Sequence, residues 1–320
     1  MTKTQPAAEI TSLAAQLSGW SPDSIELADP LDTGPAQSLN DLLADGPAPY
    51  RGGPVDPLYH WVYFHTWPPR TSLAPDGHPR TGEFMPPLRD RRRMFAGGRC
   101  TFHSPLYFSE PAAASSLANC KFKRGRSGEM LFVTVRTTIV QNRRLCITDE
   151  QDLVYRSGPP QPVPAPAPTP EPRYTEPAAA TGALSRRLRI AFDPVTLFRF
   201  SALTANSHRI HYDQAYARGV EGYSGLLVQG PLLVLTMAGV LRQADQPELA
   251  RLSYRLHQPV FADETVDVAV IDSVASAASD GIARAPAEGP DAPMRVAVIG
   301  PAGEPRASAT AEFRRASGKP

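Results

Sequence analysis

Between Leu203 and Ala217 the chain reads LTANSHRIHYDQAYA, its densest run of groups able to move protons or hold water. Asn206, His208, Arg209, His211, Tyr212 and Asp213 all fall within this stretch. Histidine titrates near neutrality, so it is the natural proton carrier. Two imidazoles so close together, flanked by arginine and aspartate, suit proton abstraction beside a carbonyl. Such a reaction also needs donors for the enolate oxygen. Gly230 sits near the start of an apolar helical segment, where backbone N–H groups are unpaired and a glycine allows close approach. A donor of that kind typically contributes about 3–4 kcal/mol. The plainer reading of a histidine on an apolar face is a packed, hydrogen-bonded core residue, and spacing does not decide between the two. His208, His211 and Asp213 could also ligate a metal, but no second ligand cluster accompanies them, so no metal is expected.

The elements around this stretch must hold it in place. Asp193-Pro194 reads as a helix start, with aspartate as cap and proline at the first helical position. Leu197, Phe200, Ser201 and Thr204 then share one face. GLLVQGPLLVLTMAGVLRQA, residues 225–244, is apolar nearly all round, as in a helix buried at the centre of a domain. Strand-like runs follow: LSYRLHQPVF, ETVDVAVIDS, MRVAVIG and SATAEFRR. Residues 275–293 read as a low-complexity loop.

The first half opens on two amphipathic segments within residues 10–45, with Ser38 as a cap for the second. YHWVYF, residues 59–64, is aromatic and expected to be buried. MFAGGRCTFHSPLYF, MLFVTVRTTIVQ and LCITDEQDLVYR read as strands, the last two joined by a turn at Asn142–Arg144. Phe122 to Gly128 reads as a basic turn. The stretch SGPPQPVPAPAPTPEPRYTEP, residues 157–177, favours a stiff extended spacer. One long helix wrapped by a curved antiparallel sheet is the hot-dog arrangement. The expected fold is therefore α+β, a double hot-dog with two curved antiparallel sheets, each around a central helix. The expected domains are 1–156, a linker at 157–177, and 178–320. No sequence repeat marks the two halves.

Bulk properties narrow the function. The chain has 320 residues, 42% of them hydrophobic, with a formal net charge of +1. No strong field favours nucleic acid or an anionic membrane. The N-terminus lacks a signal-peptide pattern and no run approaches a membrane span, so a cytoplasmic protein is expected. Cys100, Cys120 and Cys146 form no CxxC pair, which argues against a disulfide framework and fits a reducing compartment. GxGxxG, GxxxxGK[ST] and GxSxG are absent, so no nucleotide cofactor or serine-hydrolase elbow is expected.

Residues 200–231, FSALTANSHRIHYDQAYARGVEGYSGLLVQGP, resemble the MaoC-like hydratases, in particular the branch of hydroxyacyl-thioester dehydratase type 2 and mesaconyl-C4-CoA hydratase. PLYHWVYF, DGHPRTGEFMPP, RRRMFAGGR, KRGRSGEMLFVTV and EQDLVYR extend the resemblance over nearly the whole chain. It implies a hydro-lyase that adds or removes water across the α,β-bond of an acyl thioester, carried by CoA or an acyl carrier protein, with no cofactor. His211 falls on the family's motif histidine and Asn206 on the position of its aspartate. The implied roles are proton transfer for His211, orientation of water by Asn206, and an oxyanion N–H at Gly230. His208, Arg209, Asp213, Tyr223 and Gln229 would line the substrate site, and His208 or Asp213 could serve as the partner that the missing aspartate would have been. Gln229 stands where the family often has histidine. Lys123 and Arg124, in the basic turn, could meet the phosphates of the carrier, although a solvated hairpin tip carries the same residues. A double hot-dog chain could act as one pseudo-dimer or pair again as a homodimer. A non-catalytic thioester-binding subunit and a hot-dog thioesterase are the rival readings.

Overall fold

In the computed structural model the described residues are 17, 19–44, 48–82, 84, 86, 88, 92–125, 128–156, 187–242, 248–271 and 292–314. The proline-rich stretch 157–177 lies outside them. So do the first amphipathic segment, apart from Leu17, and the low-complexity loop, apart from Ala292 and Pro293.

Ten strands build one sheet. They are β1 (Ile25–Asp29), β2 (Arg92–Phe102), β3 (Ala112–Gly125), β4 (Gly128–Gln141), β5 (Arg144–Arg156), β6 (Arg187–Ile190), β7 (Leu249–Leu256), β8 (Val266–Ile271), β9 (Met294–Ile299) and β10 (Pro305–Phe313). Their order across the sheet is β1-β3-β4-β5-β2-β7-β10-β9-β8-β6. Within each half the strands therefore run first, third, fourth, fifth, second, and the two second strands meet at the centre. There β2 pairs antiparallel with β7, from Gly97 opposite Arg255 to Thr101 opposite Arg251. The duplication absent from the sequence is present in the topology. The two expected sheets are continuous through this seam.

Most strands follow the β-branched and aromatic runs. Asn142 and Arg143 both take positive φ, 51° and 60°, in the tight turn between β4 and β5. The reading of Phe122–Gly128 as a turn is corrected: Phe122 to Gly125 belong to β3 and Gly128 to β4, with Gly125 opposite Gly128. Its AAASSLANC start has low strand propensity. Pairing with β1 on one side and β4 on the other overrides that preference.

Four α-helices complete the described structure: α1 (Thr33–Leu43), α2 (Pro194–Leu203), α3 (Gln214–Gly219) and α4 (Gly230–Arg242). Asp193 caps α2, its side chain accepting from Thr196 N at 2.7 Å, with Pro194 at the first helical position. Ser38 lies inside α1, and Asp32 occupies the N-cap position instead. α4 is shorter than its apolar run, because residues 226–229 are not helical and Leu227 bridges Phe261. Its buried face includes Leu232, Leu233, Leu235, Met237 and Leu241. Burying one such side chain is worth about 1.5–3 kcal/mol. At the matching place in the first half, between α1 and β2, the helical turns among the described residues are two short 3-10 turns, Tyr59–Val62 and Arg70–Ser72. The expectation of a long central helix in each half therefore holds for the second alone among the described residues. One core cluster nevertheless runs from Leu31 to Ala311 through both halves. No helix among the described residues is long and apolar enough to cross a membrane.

Candidate active site

The loop between α2 and α3 carries the two adjacent histidines. Ala205 takes φ 49° and reverses the chain after α2. Asn206 then closes a local turn, its Oδ1 accepting from His208 N at 3.1 Å. A 3-10 turn, Arg209–His211, places His211 inward. His211 Nδ1 lies 2.8 Å from the carbonyl oxygen of Leu227. A carbonyl can only accept, so Nδ1 carries the proton and Nε2 keeps its lone pair. Burial pushes the imidazole down to about 4, so it is neutral at pH 7. It is a base with its tautomer already chosen.

A second loop, brought over from the first half, packs against the first. Arg209 N donates to Asp76 O at 2.9 Å, Arg209 Nη1 donates to Pro75 O at 3.0 Å, and Ser207 Oγ donates to Gly77 O. Gly77 takes φ +96°, and a Cβ there would sit 1.8 Å from Ser207 O. Only glycine permits this docking. The loop delivers a third imidazole. The rings of His78 and His208 are 4.3 Å apart between centroids, and those of His208 and His211 are 5.7 Å apart, edge to face. Asp76 Oδ2 lies 3.1 Å from His78 Nδ1 and orients that ring. Burial, then the neighbouring charges of His78, His211 and Arg93, holds His208 well below the usual histidine range. Asp76, His78 and His208 each place one potential metal-ligating atom within 4.8 Å of the others. The same arrangement sets an imidazole oriented by a carboxylate against a second imidazole.

A model of the hydroxyacyl-thioester dehydratase type 2 family matches residues 58–262, which takes in both loops. The chain belongs to that family. A mesaconyl-C(4)-CoA hydratase from Chloroflexus aurantiacus is 43% identical to it over 216 residues, 67% of this chain and 74% of that protein. A mitochondrial hydroxyacyl-thioester dehydratase type 2 from Schizosaccharomyces pombe is 24% identical over 247 residues, covering 68% of this chain and 78% of its own. Among solved structures, a MaoC-like dehydratase aligns with a TM-score of 0.63 at 12% identity, over 95% of this chain and all of its own. HtdX of Mycobacterium tuberculosis gives a TM-score of 0.59 at 16% identity, over 91% of this chain and all of its own. These last two likenesses carry the fold, a MaoC-like hot-dog.

In this type 2 dehydratase-family chain, Gly230 opens α4, three residues beyond the carbonyl that anchors His211. The first N–H groups of a helix have no partner within it and favour an anion. A Cβ at Gly230 would lie 2.4 Å from Leu256 Cδ1 and 2.7 Å from Phe95 Cδ1, so packing also holds this position to glycine. Gln229 is 1% exposed. Its Nε2 donates to Leu197 O at 2.8 Å and to Ser201 Oγ at 2.9 Å, while Oε1 is buried without a partner. It ties α2 to the start of α4. Arg209 and Asp213 pair with each other at 2.7 Å. Asp213 also caps α3 through Tyr216 N at 3.0 Å, and the Arg209 guanidinium lies over the Tyr216 ring. Their bonds hold the loop in shape. Tyr223 packs on the core, its N–H donating to Ala217 O. Lys123 is an exposed β3 residue with its ammonium over the Phe132 ring, on a strand separated from β7 by β4, β5 and β2. The Arg124 side chain lies outside the described residues.

Asp76 and His78 are the site residues that the chemistry-dense stretch did not reveal. The DGHPR turn carries the only available signal, a histidine beside an aspartate and a glycine.

Proposed function

We propose that this hydro-lyase of the type 2 family works on a CoA thioester, with His211 as its proton-transfer residue. In dehydration, the lone pair on His211 Nε2 takes the proton from the α-carbon of a 3-hydroxyacyl thioester. The enolate oxygen is held by the N–H groups that open α4. The C–O bond then breaks, and the hydroxyl leaves as water, taking a proton from the imidazolium form of His78 beside Asp76. Asp76 steadies the His78 ring during this transfer, as the carboxylate of a triad does. His211 later returns its proton through solvent to His78, which closes the cycle. Hydration runs the same steps backwards. The relative named for mesaconyl-C(4)-CoA supports CoA as the carrier. Asn206 spends its Oδ1 on the loop, so its remaining amide donors are what it can offer the departing water.

The observation that carries the proposal is the 2.8 Å contact between His211 Nδ1 and Leu227 O, which fixes a neutral base beside the start of α4. The test is the loss of enoyl-thioester absorbance on hydration of enoyl-CoA substrates, including dicarboxylic ones. His211→Ala should lower kcat by about 10²–10⁴-fold. A full-rate variant would remove His211 from the mechanism. Release of free CoA thiol in place of hydrated product would indicate thioesterase chemistry.

A further inference from the structure

A second buried polar cluster lies in the first half, away from the three imidazoles of the catalytic loops. Cys100 on β2 and Asp149 on β5 are direct cross-strand partners, and His60 reaches them from the 3-10 turn Tyr59–Val62. Their relative exposures are 0%, 3% and 5%. Each presents one potential metal-ligating atom, and these atoms all lie within 4.8 Å of one another. We propose that His60, Cys100 and Asp149 form a binding site for a borderline-soft divalent cation of the zinc type.

Charge and hydrogen bonding point the same way. A buried carboxylate needs a compensating charge. Among the described residues, His60 is the single ionic neighbour of Asp149, with its Nε2 at 3.4 Å from Oδ2. Oδ2 is already well served, accepting from Trp61 Nε1 at 2.8 Å and Gln151 Nε2 at 2.9 Å. Oδ1 has no partner, nor has His60 Nδ1, nor the Tyr254 hydroxyl, and all three atoms are buried. A protonated His60 paired with Asp149 would account for the Nε2–Oδ2 contact alone. It would leave three orphaned polar atoms beside a buried thiol. A cation explains them better. Trp61 and Gln151 then act as the outer hydrogen bonds that hold a ligating carboxylate in place.

The donor set chooses the metal class. Thiolate, imidazole and carboxylate together suit Zn²⁺, whereas Mg²⁺ and Ca²⁺ prefer oxygen alone. Thiolate and carboxylate would neutralise the two positive charges. Tyr254 stands edge-on to Trp61, with centroids 6.0 Å apart, and is the neighbouring polar group for a fourth position. Tyr254 also stacks on Phe95 at 5.9 Å, and Phe95 packs where a side chain at Gly230 would stand. The metal would therefore brace the wall behind the start of α4.

The test uses the full-length protein, stripped by a chelator under reducing conditions and titrated with Co²⁺ as a zinc surrogate. A saturating signal at one equivalent is expected, with the near-ultraviolet charge-transfer band of a thiolate–cobalt bond. Asp76, His78 and His208 contain no thiol and cannot give that band. Cys100→Ser should abolish it and weaken Zn²⁺ binding by about 100-fold or more. Cys120→Ser, Cys146→Ser and His78→Gln should keep it. Absence of the band in the unaltered protein, or its survival in Cys100→Ser, would overturn the site. The first of these outcomes needs no variant to fold. Neither depends on turnover, so hydratase activity and the metal site stand or fall separately.

Discussion

An imidazole works as a base at neutral pH only when it is deprotonated and its free nitrogen faces the substrate. Burial supplies the first condition at His211, and the bond to Leu227 O leaves Nε2 as the nitrogen that is free. The acid limb of kcat/KM should therefore fall near pH 4, well below the ordinary histidine value, because protonation removes the base only there. Rapid dilution of enzyme into buffers from pH 4 to 8 would measure it. A limb near 6.5 would show that another group is the base. In the proposed reaction the other half rests on His78. His78→Gln should cost about 10²-fold or more in kcat. Asp76→Asn keeps an acceptor for His78 N and disturbs only the ring contact, so its loss should be smaller. Equal kcat in His78→Gln and the unaltered enzyme would remove His78 from the mechanism. His208 and His211 were legible in the sequence because they lie close together. His78 was not, since it enters through a loop contact spanning 130 positions. The crowd of polar residues at 206–213 also overstated the chemistry. Asn206, Arg209 and Asp213 are there largely because a sharp loop needs side chains that bond to backbone.

At the scale of elements, the proposed catalytic arrangement is two loops docked backbone to backbone. The expected cost of disturbing that docking can be argued from Gly77. Alanine there would put a methyl group 1.8 Å from Ser207 O, and its φ of +96° is already unfavourable for an L side chain. The loop must move away, carrying Asp76 and His78 with it. Gly77→Ala should reduce kcat/KM at least about tenfold, because small displacements of positioned groups are costly. The two halves of the sheet do not depend on this loop, so thermal stability should fall only by about 1–3 kcal/mol. Parallel kinetics and melting curves would check the contrast, and an unchanged kcat/KM would mean that the docking does not position the histidines. Elements with strong intrinsic preference were readable: the β-branched runs of β4 and β9, and α2 with its aspartate cap. β3 was hidden because its alanines and serines become a strand only through their neighbours. The start of α4 was hidden for the opposite reason. The segment before it is as apolar as a helix but is bonded to Ile210 and Val260.

For the whole molecule, the strand order is repeated while the sequence is not, because topology tolerates replacement of almost every side chain. The proposed domains, 1–156 and 178–320, share more than a linker. Arg242 at the end of α4 pairs with Asp56 at 3.0 Å, Arg314 donates to Phe102 O at 2.7 Å, and β2 joins β7. Heating should therefore give one cooperative transition, with calorimetric and van't Hoff enthalpies equal; two resolved transitions would mean that the halves fold independently. The stability of that single unit should depend on pH through the buried imidazoles. His211 is held neutral in the native state to about pH 4, whereas in the unfolded chain it takes a proton below about 6.5. Between those values the unfolded state binds more protons, so stability rises with pH. The contribution is fully present above pH 6.5, declines as pH falls, and levels off near pH 4. A span of that width corresponds to about 3 kcal/mol. His208 is shifted in the same direction and adds to the slope. Urea unfolding between pH 5 and 8 would show a midpoint that drops on acidification. His211→Gln, with nothing left to protonate at that position, should have a visibly flatter profile. An equal slope in both proteins would mean that the ring is solvated, and that the neutral base on which the reaction depends is not built into the fold.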